Sequence, residues 1–292
     1  MKKIDTLVED IYDLFTDASS VDKDDLKLSA RQLSRAITNH VVNRLLESKQ
    51  PKRKRTLRMS QVGKPLRQLW YDLKEYPVNE KPLPHNQIKF LYGNILEELL
   101  LFLAKAAGHT VEEEQKKVEL DGVRGHKDCR IDGVTVDVKS ASSYSFKKFE
   151  SNTVGQDDPF GYISQLSGYA QAEGDREAAF LAIDKQNGKL ALSPLHELEF
   201  DNVSQRIGKI RKALDSDIPP ERCYSDVPEG KTGNRKLSIG CSYCPYKFFC
   251  WSDINEGRGL RTFRYANGPR FFTRIVKQPN VEEIPSGMTN EN

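Results

Sequence analysis

The sequence predicts a mixed α/β protein, in which helices flank a sheet with both parallel and antiparallel strands. Three observations predict this class. Apolar and polar residues alternate from Val134 to Lys139, which is typical of a strand. A helical run that is apolar on nearly every side precedes that strand. A further helix and two short apolar strands follow it, and the order helix, strands, helix, strands is typical of such a core.

Length and composition allow one large domain or a core with appendages. The chain has 292 residues, of which 37% are hydrophobic and 30% charged, and its formal net charge is +3. No apolar run approaches the roughly 20 residues that span a bilayer. The start, MKKIDTLVEDIYDLF, has acids where a signal peptide would be apolar. We therefore expect a cytoplasmic protein without a membrane partner.

Residues 1–58 are expected to form a helical N-terminal extension that ends in a basic linker. Leu7 and Ile11 share one helical face, and a second helix is expected from residue 29 to 46, with a capping box that begins at Ser29. From residue 49 to 67 the chain has basic residues and no acid, and such a block contacts phosphates or is a solvated linker. The candidates for nucleic-acid binding are Lys52, Arg53, Lys54, Arg55, Arg58, Lys64 and Arg67.

The central part of the predicted fold is a helix followed by a β-hairpin. The helix from Gly93 to Ala107 is apolar on nearly every side, so at least one of Glu97 and Glu98 lies near the interior and needs a partner. Asp132-Gly133 is a two-residue hairpin signal, and folding that hairpin brings the segment of Asp128 beside the strand of Asp137.

The strand in this hairpin divides its side chains between two faces. Its valines face the core, whereas Thr135, Asp137 and Lys139 share the other face. Two acids and a lysine on one sheet surface can hold a divalent cation through oxygen ligands and activate a water beside it.

The next elements follow in order. A helix is expected from Pro159 to Gly174, with Gln165 and Tyr169 four residues apart on one face. Strands are expected over residues 178–184 and 190–195, and a helix over 201–214.

Four motifs in this order resemble the PD-(D/E)XK nuclease superfamily and its RecB-like branch. They are Gly93-Asn-Ile-Leu-Glu97 for G-x-x-x-E, Gly125-His-Lys-Asp128 for G-x-x-D, Asp137-Val-Lys139 for (D/E)-x-K and Gln165-Leu-Ser-Gly-Tyr169 for Q-x-x-x-Y. The resemblance covers about residues 59–255. It implies a restriction-endonuclease-like core with a mixed sheet flanked by helices.

The resemblance also implies the roles of the site residues. Glu97, Asp128, Asp137 and the backbone carbonyl of Val138 would bind Mg²⁺ or Mn²⁺. Lys139 would orient or help deprotonate the attacking water and offset charge at the phosphate. Gln165 and Tyr169 would position the nucleic-acid backbone or the metal site.

Each of these residues also has a structural interpretation. Asp137 and Lys139 can be an exposed ion pair. Glu97 can be an acid favoured by the dipole at a helix N-terminus, and Glu98 can be the metal ligand instead. Gln165 and Tyr169 can be packing residues. His126 and Cys129 flank Asp128, but we do not expect them to form a Cys–His nucleophile.

Four of the five cysteines form a late cluster. Cys241, Cys244 and Cys250 have C-x2-C-x5-C spacing, which is typical of metal ligands, and Cys223 can be the fourth. The same ending closes the iron–sulfur nucleases of this branch, of the AddB type and the CRISPR-associated type. Their upstream cysteine lies in a C-P-R segment, where this chain has Pro65-Leu66-Arg67. Four thiolates suit [4Fe–4S] and Zn²⁺ alike.

The predicted division is a helical extension over residues 1–58, a nuclease core over 59–215, a four-cysteine segment over 216–260 and a tail over 261–292. The implied function is a DNA exonuclease in recombination, repair or phage DNA processing, within the host cytoplasm if phage-encoded. It would bind DNA without sequence preference and work with a helicase or recombination protein. A structure-specific or nicking endonuclease and a non-catalytic nucleic-acid-binding module are the alternatives, and RNA is a possible substrate.

Overall fold

The computed structural model describes residues 2–17, 21–46, 55–78 and 84–285. The helices in these ranges are α1 (Leu7–Asp13), α2 (Lys23–Leu46), α3 (Leu66–Leu73), α4 (Pro84–Ala106), α5 (Ser143–Glu150), α6 (Tyr162–Glu173), α7 (Val203–Leu214), α8 (Ile239–Ser242) and α9 (Lys247–Cys250). None of the described helices is long and apolar enough to cross a membrane.

The strands in the same ranges belong to three sheets. They are β1 (Val111–Glu112), β2 (Lys117–Leu120), β3 (Val123–His126), β4 (Cys129–Ile131), β5 (Val134–Ala141), β6 (Glu177–Asp184), β7 (Leu190–His196), β8 (Val227–Pro228), β9 (Arg235–Lys236), β10 (Arg261–Tyr265), β11 (Gly268–Arg274) and β12 (Glu283–Ile284). The chain divides into two compact units, one of residues 1–63 and 83–208 and the other of residues 64–82 and 209–292.

The first unit is built on a five-stranded sheet in the order β1-β4-β5-β6-β7. β5 and β6 run parallel, and the other neighbouring pairs run antiparallel. This mixed sheet flanked by helices confirms the predicted fold class. The hairpin prediction is also confirmed, because Asp132 and Gly133 both have positive φ angles between β4 and β5, as a tight hairpin turn requires.

Both faces of this sheet are covered. On one face, apolar side chains of α1 and α4 pack against Val136, Val138 and their neighbours. On the other, α5 and α6 pack against alternate residues such as Phe180 and Ala182. β5 is therefore buried on both sides, and its polar residues Thr135 and Asp137 are fully buried under α6. The alternation correctly divides the side chains of β5 between its two faces, but helices cover both faces.

Several boundaries differ from the predicted ones. α2 begins at Lys23, so Ser29 lies inside the helix and the expected capping box is wrong. α4 begins at Pro84, which places Glu97 in the middle of the helix, far from the N-terminal dipole that would favour an acid. Two short strands, β1 and β2, precede the β4–β5 hairpin and belong to different sheets.

The second unit contains a separate antiparallel sheet in the order β12-β10-β11-β9-β8. Three of its strands lie after residue 260, in the segment that the sequence suggested only as a tail. Trp70 and Tyr71 of α3 pack with Tyr246 in an aromatic cluster of this unit, and Tyr246 donates a hydrogen bond to Asp72 at 2.6 Å.

Candidate active site

Two aspartates meet at the β4–β5 hairpin. Asp137 lies on β5 and is fully buried, and Asp128 directly precedes β4, where Cys129 pairs with Val136. The Asp128 Oδ2 accepts a hydrogen bond from the Val138 backbone N–H at 2.7 Å. Burial and then the neighbouring carboxylates of Asp137 and Glu97 raise the pKa of Asp128. The hairpin therefore holds two carboxylates close enough to repel each other.

Lys139 compensates this negative charge. Its Nζ lies 2.5 Å from the Asp137 Oδ2 and 3.5 Å from the Gln165 Oε1. Burial acts to lower the pKa of Lys139, but the carboxylates of Asp137 and Asp128 outweigh it and the pKa is raised. Lys139 is therefore a permanent cation in this site.

Glu97 is the third carboxylate. Its Oε1 accepts a hydrogen bond from Gln115 Nε2 at 2.8 Å, and burial, followed by the charges of Asp137 and Glu98, raises the pKa of Glu97 to about 7. Glu98, the next residue on α4, has a different partner and pairs with His40 Nε2 at 2.9 Å. Of the two candidates for the ligand, Glu97 is the one placed with the aspartates.

The side chains of α6 complete the cluster. Gln165 Nε2 donates to the Asp137 Oδ1 at 3.0 Å and lies 3.3 Å from the Tyr169 hydroxyl. Tyr169 is buried, and burial raises its pKa. The predicted Q-x-x-x-Y pair therefore contacts the (D/E)-x-K pair, with Gln165 bonded to Asp137 and within reach of Lys139.

Glycines allow this close packing. A Cβ on Gly125 would lie 2.6 Å from the Met59 Cβ and 2.8 Å from the Tyr169 Cε1, and a Cβ on Gly168 would meet the Met59 sulfur. Gly93 differs, because its Cβ would lie 3.5 Å from the Ser140 Oγ, an ordinary contact. The glycine of G-x-x-D is thus a steric requirement, whereas that of G-x-x-x-E is not.

Two residues of the site have no place in the motifs. Gln115 joins two parts of it, since its side chain bonds Glu97 and its backbone N–H donates to the Asp128 carbonyl at 2.9 Å. Lys139 Nζ lies 4.7 Å from the centre of the Tyr162 ring. The spacing of Tyr162 and Gln165, three residues apart on one helix, could have indicated the tyrosine; no sequence signal indicates Gln115.

A groove of about 680 Å³ opens beside the carboxylates in the first unit. Its lining includes Asp128, Gln165 and Tyr169 and four basic side chains. The basic residues are Arg58, Lys117, Arg124 and His126. Three of them come from the β2–β3 hairpin, where Lys117 and Arg124 lie outside the motifs.

The predicted basic block is divided. Lys52, Arg53 and Lys54 lie outside the described residues. Arg55 and Arg58 belong to the first unit, whereas Lys64 and Arg67 belong to the second. The Arg67 guanidinium donates to the Pro220 carbonyl and lies over the Tyr71 ring, 5.6 Å from its centre.

The four late cysteines line one cavity of about 30 Å³ in the second unit, together with Arg67 and Trp251. Cys241 lies on α8 and Cys250 ends α9. Burial raises the pKa of Cys244 to about 11 and also raises those of Cys241 and Cys250. Against this effect of burial, hydrogen bonds from the Arg67 and Trp251 side chains act to lower the pKa values of Cys250 and Cys241, respectively.

Neither site is a ready-made cage for a single ion. Within the described ranges, no three His, Cys, Asp or Glu side chains are disposed to hold one metal ion. In the first unit the Lys139 ammonium stands beside Asp137. In the second, the thiols line the wall of a cavity.

The sequence matches no known protein family and no curated protein. Among solved structures, SSO0001 gives a TM-score of 0.42 at 13% identity, over 78% of this chain and 98% of that one. A phage-related exonuclease from Haemophilus somnus 129PT gives 0.38 at 17%, over 56% and 92%. An alkaline exonuclease from Laribacter hongkongensis gives 0.32 at 12%, over 53% and 91%. Scores at this level carry no functional inference.

Proposed function

We propose that the chain is a metal-dependent nuclease that hydrolyses phosphodiester bonds in DNA, most simply as an exonuclease. One observation carries the proposal. Three carboxylates from α4 and the β4–β5 hairpin gather around a charged lysine that is paired with one of them. An exposed surface ion pair would not require three buried or partly buried acids that raise one another's pKa.

The donor set fits a hard divalent cation. Glu97, Asp128 and Asp137, with the Val138 carbonyl, offer the oxygen ligands that Mg²⁺ and Mn²⁺ prefer. The Asp137 Oδ2 is buried and pairs with the Lys139 Nζ at 2.5 Å, so the lysine offsets the charge of this ligand. When bound, the metal would polarise a phosphate oxygen and lower the pKa of a water.

The other residues act through position and charge. Lys139 offsets the negative charge that develops at the phosphate, because its ammonium stays protonated. Gln165 fixes the orientation of Asp137 through a 3.0 Å hydrogen bond, and Gln115 does the same for Glu97 at 2.8 Å. These two amides hold the carboxylates in place without adding charge.

The groove supplies a route for the nucleic-acid backbone. Arg58, Lys117, Arg124 and His126 line it together with Asp128. Basic side chains on such a path contact phosphates irrespective of base sequence, and the binding that they provide weakens with salt. We therefore infer sequence-independent DNA binding that falls with ionic strength. We also propose that the protein acts in recombination, repair or phage DNA processing, with a helicase or recombination protein as its partner.

For the cysteines we propose a [4Fe–4S] cluster, with Zn²⁺ as the alternative. All four thiols line the same cavity, which supports a shared ligand. The buried N–H donors of Arg67 and Trp251 suit negatively charged sulfur acceptors. The role would be structural.

Digestion of linear and covalently closed circular DNA tests the proposal. The reactions contain Mg²⁺, Mn²⁺ or EDTA, with the wild type, Lys139→Ala and Lys148→Ala as proteins. Lys148 is the matched control because its ammonium also lies near an aromatic ring and a carboxylate, those of Tyr144 and Asp157.

An exonuclease degrades only the linear form, requires the metal, and loses activity in Lys139→Ala but not in Lys148→Ala. Cutting of the circle with the same dependences would replace the exonuclease by the endonuclease alternative. Binding of DNA without cleavage in either metal would contradict the nuclease proposal and leave the non-catalytic module.

A further inference from the structure

A column of aromatic rings leads from the surface of the first unit to the catalytic lysine. Phe160 is 60% exposed, and its ring stacks on that of Tyr162 with a centroid distance of 5.4 Å and an angle of 27°. The Tyr162 ring in turn lies 4.7 Å from the Lys139 Nζ and contacts Phe149 in the core. The centre of the Phe160 ring therefore lies at most about 10 Å from the Lys139 ammonium.

The loop that carries Phe160 is fixed by its neighbours. The backbones of Gly161 and Gly63 pack directly against each other, so that neither position has room for a Cβ. Arg206 donates to the carbonyls of Val62 and Gly63, and the Asp158 carboxylate accepts from the Ile163 N–H at 2.8 Å. An exposed ring on an anchored loop loses little freedom when a ligand stacks on it.

The same helix lines up the parts of the site. Tyr162, Gln165 and Tyr169 are spaced three and four residues apart on α6 and occupy one face over about 10 Å. The Tyr169 end borders the basic groove, and the Tyr162 end carries Phe160. A strand along this face would have phosphates in the groove, a phosphate at Lys139 and a base at Phe160.

We propose that the exposed face of Phe160, backed by Tyr162, is a stacking platform for one unpaired nucleobase close to the scissile phosphate. This inference rests on the proposed nuclease function and narrows its substrate to a strand that is single-stranded at that position. A paired base is already stacked between its neighbours, whereas an unpaired base of any kind can stack on an aromatic ring. The platform would thus select unpaired structure without selecting sequence.

The test pairs removal of the ring with removal of the base. Binding of a short single-stranded oligonucleotide to the full chain is measured by fluorescence anisotropy in EDTA, so that cleavage does not interfere. The strand is intact or carries one abasic residue at each position in turn. The proteins are the wild type, Phe160→Leu, Phe160→Tyr and Tyr144→Leu, the last as a control because Tyr144 is a 75% exposed aromatic on α5.

We expect the wild type to lose affinity about 5- to 100-fold when the abasic residue lies at one particular position. Phe160→Leu should bind the intact strand as weakly as the wild type binds that abasic strand. Its affinity should not fall further when the abasic residue is present. Phe160→Tyr and Tyr144→Leu should behave as the wild type.

An abasic penalty that persists unchanged in Phe160→Leu, or wild-type affinity in that variant, would overturn the platform. If the wild type binds and cleaves DNA but no abasic position matters, the platform alone is overturned. If it neither binds nor cleaves any strand, the proposed function fails as well.

Discussion

The carboxylate cluster and the cysteine cavity are two candidate metal sites of opposite construction. The carboxylates are carried by the middle of a 23-residue helix and by a hairpin whose second strand has eight residues. The cysteines are carried by loops and two helices of four residues each. Hydrogen bonds from Gln165, Gln115 and the Val138 N–H already fix the carboxylates.

Because of this difference, we expect substitutions at the two sites to have different effects. A site on long, well-packed elements keeps its shape when one functional group is removed, so its variants lose activity and retain the fold. A site on single helical turns has little local order of its own, because helices this short are not stable in isolation. Its variants should therefore lose structure together with any bound group.

The largest expected effect is on the activity of Asp128→Asn. The asparagine keeps an oxygen to accept the Val138 N–H, but it removes a negative metal ligand. We expect the cleavage rate to fall more than about a hundredfold, because a bound metal supplies several kcal/mol of stabilisation to the transition state. The melting temperature should not fall, since a carboxylate that burial and two neighbouring acids destabilise is gone.

Asp132→Asn is the reciprocal control. The Asp132 side chain is also buried in this hairpin, but its Oδ2 pairs with His109 Nδ1 at 2.6 Å. Its loss should cost about 1–3 kcal/mol of stability and leave cleavage intact. Equal loss of stability in both variants would show that the carboxylate cluster is as structural as the cysteines.

Cys244→Ser should disorder the second unit. We expect lower iron or zinc content by elemental analysis and faster limited proteolysis after residue 209, while the first unit stays resistant. Cys129→Ala is the matched control, because Cys129 lies in the core of the first unit and far in sequence from the cluster; its metal content should equal that of the wild type. If the metal content and the rate of proteolysis of Cys244→Ser equalled those of the wild type, the proposed cysteine site would be contradicted.

Two glycine substitutions measure how tightly the first site is packed. Gly125→Ala places a Cβ 2.6 Å from the Met59 Cβ and should cost about 1–3 kcal/mol in urea unfolding. Gly93→Ala has room and replaces a glycine inside a helix, so it should stabilise by up to about 1 kcal/mol. A similar cost at both positions would contradict the steric distinction between the two motifs.

The smallest effect concerns pH and an ion-pair cluster of the first unit. Hydrogen bonds from Lys116 and Lys127 lower the pKa of Glu113 from its ordinary 4.5 to about 2. The unfolded chain therefore binds this proton more readily than the folded chain. The stabilisation is complete above pH 4.5 and is lost as the pH falls from 4.5 towards 2.

Urea midpoints at pH 7, 4 and 3 test this for the wild type and Glu113→Gln. The difference between the two proteins should shrink as the pH falls. A difference that is constant across the three pH values would exclude Glu113 as the titrating group.

Local patterns in the sequence determined the elements and much of the candidate site. Asp132-Gly133 requires a tight turn with two positive φ angles, and period-2 alternation divides β5 between two faces, so Asp128 and Asp137 could be placed together in advance. These are properties of consecutive residues, and local geometry fixes them. The roles given to these residues still await experiment.

Only the tertiary structure decided what covers each side chain. Consecutive residues Glu97 and Glu98 are equivalent in the helical pattern, and the neighbouring elements separate them by offering Gln115 to one and His40 to the other. The polar face of β5 is buried because α6 crosses it, which no alternation within β5 could indicate. Such contacts join residues distant in the chain, so the packing of the whole unit, rather than any local pattern, sets them.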